Sequence, residues 1–194
     1  MRGLKTYYRV QGDFGAEDLE REVYAVRNDA DLIVVDHLHY MDLDDDENEN
    51  RAMKLLVKKL RDLALVVGIP IVVVAHLRKG TGRPLIPSLE DFHGSSDIVK
   101  IATTAILFGP AREVVSSDSR TTGGATFMHV AKCRVDGSRT GEVGLAFFDY
   151  EQGRYRDAYA IGRMNGSCTN WTALTGGSKP HWAKNATIED VSIG

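Results

Sequence analysis

Residues 31–46 read DLIVVDHLHYMDLDDD. Leu32 to Val35 form an unbroken apolar run that passes directly into Asp36 and His37, then into a second histidine, a tyrosine and a series of carboxylates. Such a run predicts a buried strand covered on both faces, as in a parallel sheet. A carboxylate at the tip of that strand is costly to desolvate unless it has a partner. Asp36 is therefore either a surface residue at a strand end or a residue that holds something. The acidic stretch 42–50, DLDDDENEN, reads as a solvated loop.

Working outward, residues 15–31, GAEDLEREVYAVRNDAD, place Leu19, Val23, Val26 and Ala30 on one helical face. From Glu49 onward Met53, Leu56, Leu60, Leu63, Ala64 and Val67 make a second stripe, with Lys54, Lys58, Lys59 and Arg61 largely outside it. Gly68 predicts the C-terminal cap, and Pro70 forbids continuation. Residues 69–79, IPIVVVAHLRK, predict a second buried strand ending at Ala75–His76. A helix between two apolar strands is a βαβ unit, hence a parallel sheet.

Farther along, residues 80–88 form a Gly- and Pro-containing loop, 88–102 a short helix broken at Gly94, and 103–109, TTAILFG, a third apolar strand. Residues 110–124 are rich in Ser, Thr and Gly. Residues 125–135 and 143–150 predict an antiparallel strand pair joined by the turn DGSRTGE, with His129 an ordinary strand residue. At the N-terminus, Thr6–Val10 suggest a short strand. Residues 158–194 lose periodicity and predict a loosely structured tail, with Trp171 and Trp182 expected to pack against the body of the domain ahead of the alternative, stacking on bases. The expected fold is α/β: a mainly parallel sheet flanked by helices, ending in an antiparallel pair.

Composition sets the bounds. The 194 residues suffice for one domain with a substantial core, and apolar and charged fractions of 43% and 26% are those of a soluble globular protein. A net charge of −3 confines any nucleic-acid site to a local patch. Cys133 and Cys168 are the only cysteines, which excludes a disulfide framework and a cysteine zinc site. No apolar run approaches membrane-spanning length, and the N-terminus has no signal-peptide pattern, so a cytoplasmic location is expected.

In open parallel sheets, ligands sit beyond the carboxyl ends of the strands. Asp36 and His76 converge there. An apolar strand ending in Asp is the Walker B pattern, in which the carboxylate orients water around a magnesium ion on nucleotide phosphates. A metal-dependent hydrolase is the competing reading. Asp36, His37, His39 and Asp42 lie close in sequence with His76 able to approach them, His37 and His39 share a strand face, and these are zinc or manganese ligand types.

The order of these segments resembles the hexameric replicative helicases, the RecA-fold family of DnaB-like, Twinkle-like and phage helicase–primase proteins. The resemblance covers roughly residues 17–157. LIVVDHLHYM is similar to the family's Walker B segment, and residues 50–79 to the following helix and sensor strand, with histidine at the sensor position as in the phage and mitochondrial branch. Residues 88–108, beginning SLEDFHGSS, resemble the segment that usually reads D-L-R-G-S-G. Residues 130–157 resemble the C-terminal strands, where K-x-R carries the arginine finger.

The resemblance implies a RecA-like P-loop NTPase core, Mg²⁺ and ATP or another NTP as cofactors, single-stranded DNA as partner and assembly into a hexameric ring. It implies that Asp36 positions magnesium through water, that His76 contacts the γ-phosphate, and that Arg134 with Lys132 reaches a neighbouring subunit's nucleotide. Arg78, Lys79 and Arg83 would fall in the DNA-contacting channel loop, as suits sequence-independent phosphate binding.

Departures are equally specific. Phe92-His93 stands where the family has Leu-Arg, and no G-x-x-x-x-G-K-[ST] occurs anywhere in the sequence. The family's catalytic glutamate has no clear counterpart, because Glu17, Glu20 and Glu22 fall on the first predicted helix. The expectation is thus a partial RecA-like motor domain at 1–157, from Walker B onward, followed by the tail at 158–194. As a truncated, split or fragmentary helicase it should be inactive alone. A non-catalytic RecA-fold interaction or oligomerisation module is the alternative, ahead of a metal-dependent hydrolase using Asp36, His37 and His39.

Overall fold

The computed structural model describes residues 3–8, 14–41, 49–77, 86–91, 96–110, 123–156, 159–165 and 171–173. The chain divides into two compact units, Met1–Arg78 with Phe92–Ala102, and Lys79–Asp91 with Thr103–Gly194.

In the first unit, helix α1 spans Ala16–Val26. Asp18 returns its carboxylate to the Gly15 backbone N–H at 3.0 Å, and Glu17 and Asp18 place negative charge in the first turn, where the helix dipole favours it. Leu19 and Val23 are buried, as the apolar spacing requires. Helix α2, Glu49–Val67, buries Met53, Leu56, Val57, Leu60 and Leu63 in the same core. A Lys59–Glu20 ion pair at 2.7 Å ties the two helices at the surface. Helix α2 stops at Gly68, whose φ of +70° is left-handed and whose N–H is accepted by the Ala64 carbonyl at 3.0 Å.

Strands β1, Ile33–Val35, and β2, Ile71–Val73, pair in parallel with Ile33 opposite Ile71. The pairing continues past both strands. The Val74 N–H donates to the Val35 carbonyl at 2.9 Å, and the Leu38 N–H donates to the Val74 carbonyl at 3.0 Å. Ile33, Val35, Ile71, Val73 and Ala75 pack on the helical core. Leu32, Val34, Val72 and Val74, on the opposite face, are exposed. The expectation that both faces of β1 are covered is therefore corrected: α1 and α2 pack on the inward face alone. Helix α3, Ser96–Ile101, adds Ile98 to this core. Residues 6–8 carry no strand.

The second unit is an antiparallel sheet of β3 (Thr104–Pro110), β4 (Gly123–Cys133), β5 (Glu142–Asp149), β6 (Arg154–Tyr155), β7 (Tyr159–Met164) and β8 (Trp171–Ala173). The order is β3-β4-β5-β7-β8, with β6 sharing an edge of β5 with β7. Every pairing is antiparallel. The expected mainly parallel sheet is thus corrected, since among the described residues only β1 and β2 pair in parallel. The physical reason lies in the connection. Parallel neighbours need a crossover, usually helical, whereas residues 111–122 carry no helical pattern, and β4 returns directly along β3. The expected pair, β4 and β5, is present. The aperiodic C-terminal segment contributes β7 and β8, with Ile161 and Met164 buried.

The core of this sheet is Leu107, Phe127, Val143, Leu145 and Phe147. The β4–β5 connection requires a glycine. Gly141 has φ +88°, its N–H donates to the Val130 carbonyl at 2.8 Å, and a Cβ there would collide with the Met164 carbonyl.

Candidate functional site

The site is built where β1 and β2 end. The bond from the Leu38 N–H to the Val74 carbonyl holds residues 36–38 alongside 74–76. Asp36 is exposed immediately beyond β1, and His76 is exposed beyond β2. The structure thus brings the two residues read from sequence to neighbouring strand ends within one unit.

Between them lies a contact that the metal-site reading approached, by bringing His76 towards His37 and His39, without naming the bond. His37 and His76 face each other with their Nε2 atoms 3.1 Å apart, a hydrogen bond between imidazoles. Their ring centroids are 4.3 Å apart at 73°. Tyr40 stacks on the other side of the cluster, its ring 4.2 Å from that of His37 at 29°. His39 lies near both histidines, with centroids 5.6 Å from His76 and 5.9 Å from His37. Nδ1 of His37 is buried without a hydrogen-bond partner. The shared ending of IVVDH and IVVVAH, each a strand closing on histidine, was the available signal. It needed the backbone pairing beyond the strands to become a contact.

Lys132 and Arg134 belong to the second unit. Lys132 sits on β4 opposite Ala105. Arg134 follows the strand with an exposed side chain, its backbone N–H donating to the Thr103 carbonyl at 2.9 Å. Arg78, Lys79, Arg83 and Asp42 lie outside the described residues, as do Phe92 and His93. Among the described residues, no group of three or more His, Cys, Asp or Glu side chains is arranged to hold a metal ion. One exposed carboxylate at a strand end does suit magnesium, which keeps most of its waters and takes one or two carboxylates together with phosphate oxygens.

Two polar residues prove structural. His129, read as an ordinary strand residue, is buried on β4, and its Nδ1 meets the Pro87 carbonyl at 2.8 Å. Burial pushes its pKa down, opposed by that hydrogen bond. Asp149, buried at the end of β5, accepts from the backbone N–H groups of Glu151 and Gln152 at 3.1 Å each and from Arg156 Nη2 at 2.9 Å. The Arg156 guanidinium, then these N–H groups, hold its carboxyl below the usual carboxylate range.

The profile of the DnaB-like helicase C terminal domain matches residues 10–157. The chain therefore belongs to the DnaB-like helicase C-terminal domain family. Among solved structures it is similar to one titled "The Structure Of A DnaB-Like Replicative Helicase And Its Interactions With Primase", with a TM-score of 0.55 and 15% identity. The similarity covers 73% of this chain and 34% of that one, so the chain spans about a third of that helicase's length. At that identity the likeness concerns the fold. No curated protein matches by sequence.

Proposed function

We propose that this chain supplies the Walker B carboxylate, the sensor histidine and the arginine finger of a DnaB-like motor, a machine that couples NTP hydrolysis to movement along single-stranded DNA. The observation carrying this reading is the placement of Asp36 and His76 at adjacent ends of parallel strands, inside the segment matched by the helicase domain.

Asp36 would hold magnesium through its water shell. Bound there, the ion would neutralise charge on the β- and γ-phosphates. His76 would donate a hydrogen bond to the γ-phosphate. Arg134, with Lys132, would act on a neighbouring subunit's nucleotide, because a guanidinium offers a rigid fork to phosphate oxygens. Arg78, Lys79 and Arg83 would contact the DNA backbone. The phosphate-cradling loop and its lysine are missing from the sequence, so the chain by itself hydrolyses little or no NTP.

Titration with a fluorescent ATP analogue tests the site. Binding should be weak and magnesium-dependent, and Asp36→Ala should remove the magnesium dependence. Binding indifferent both to magnesium and to Asp36→Ala contradicts the assignment.

A further inference from the structure

We propose that His37 is a positioning residue that fixes the tautomer of His76, so that His76 presents an Nδ1–H donor to an anionic phosphoryl oxygen. The inference rests on the reading of His76 as a phosphate sensor and adds a second residue to it.

The hydrogen bond between the two Nε2 atoms requires one ring to donate and the other to accept. Two arrangements of neutral rings satisfy it. In the first, His76 donates from Nε2. His37 then carries its only proton on Nδ1, which is buried without a partner. A buried donor without an acceptor is rarer in folded proteins than an acceptor short of a donor. In the second, His37 donates from Nε2. Its buried Nδ1 is then a bare lone pair, and no donor is orphaned.

The second arrangement dictates the state of His76. Its Nε2 accepts, so its proton sits on Nδ1. The His76 ring is exposed, and Nε2 to His37 is its one hydrogen bond among the described residues. Nδ1–H is therefore the group offered to a ligand. A phosphoryl oxygen needs that donor, whereas the opposite tautomer would meet it with a lone pair. Tyr40 stacked on His37 and the bond from Leu38 N–H to the Val74 carbonyl hold the donating ring in place. His37 adjoins Asp36, so a single strand end would serve both magnesium and the sensor.

The test is two-bond ¹⁵N–¹H correlation spectroscopy of the histidine-labelled chain, without nucleotide. The expected result is His76 protonated on Nδ1 and His37 on Nε2. His37→Phe keeps an aromatic ring against Tyr40 but removes the nitrogens, and His76 should revert to the Nε2–H form that a free imidazole favours. His37→Gln, whose amide can donate, should restore Nδ1–H. A wild-type His76 protonated on Nε2 overturns the proposal, as does a His76 tautomer indifferent to His37→Phe; the wild-type spectrum decides even if the variants fail to fold. Because no nucleotide is involved, failure here leaves the helicase reading intact. A correct tautomer without magnesium-dependent nucleotide binding would sink that reading alone.

Discussion

His37 and His76, separated by 39 positions in sequence, meet Nε2 to Nε2 at 3.1 Å across the ends of two parallel strands. The contact depends on backbone pairing that outlasts both strands, through Val35, Leu38 and Val74. The candidate site is thus fixed by main-chain hydrogen bonds from a unit whose core is α1, α2 and α3. Truncating that core should loosen the site with it. Leu60→Ala, at a residue 4% exposed, is expected to cost about 2–5 kcal/mol in urea unfolding and to weaken the His37–His76 signature. An effect below about 1 kcal/mol would place Leu60 outside the core.

Glycine substitutions should rank by what surrounds them. Gly68 and Gly141 both have positive φ, but a Cβ at Gly68 meets open space while one at Gly141 runs into the Met164 carbonyl. Gly68→Ala should cost about 1–2 kcal/mol, the penalty of left-handed backbone alone. Gly141→Ala should cost more, because it also separates β5 from β7. Equal losses in denaturant titrations would contradict the ranking.

Acid should weaken the second unit in two windows. His129 has a lowered pKa in the folded state, so the unfolded chain takes up its proton first as pH falls. Its contribution is present above the ordinary value of 6.5 and is lost as pH drops through the lowered one. Asp149 behaves likewise farther down: its contribution is present above 3.8 and is lost as pH falls through its depressed value. Thermal melts should show the first decline absent in His129→Gln. The decline at lower pH should be shallower in Asp149→Asn, which starts less stable at neutral pH.

Much of the first unit was legible in the sequence because its signals are local. The stripe of α2, the stop at Gly68 and Pro70, and the apolar runs of β1 and β2 each follow from neighbouring residues. Partner choice is not local. Nothing in TTAILFG distinguishes a strand with parallel neighbours from β3, which pairs antiparallel with β4. Tyr159–Met164 carries a glycine and an arginine that obscure alternation, yet Ile161 and Met164 are buried. At the site, Asp36 and His76 were readable as strand ends. The metal-site reading brought His76 towards His37 and His39, but the bond itself depends on pairing beyond those ends.

Single-stranded DNA binding should be weak and strongly salt-dependent if Arg78, Lys79 and Arg83 contact phosphates. Replacing all three by alanine should flatten the plot of log affinity against log salt by about 2, given roughly 0.7 per phosphate contact on single strands. An unchanged slope would remove these residues from the DNA interface.

Steady-state phosphate release by the purified chain, with magnesium, ATP and single-stranded DNA present, tests the central claim most directly. The account predicts release at the buffer background, because no G-x-x-x-x-G-K-[ST] occurs in the sequence to cradle the phosphates. Turnover of about one per second or faster, within the ordinary enzymatic range and abolished by Asp36→Ala, would contradict it.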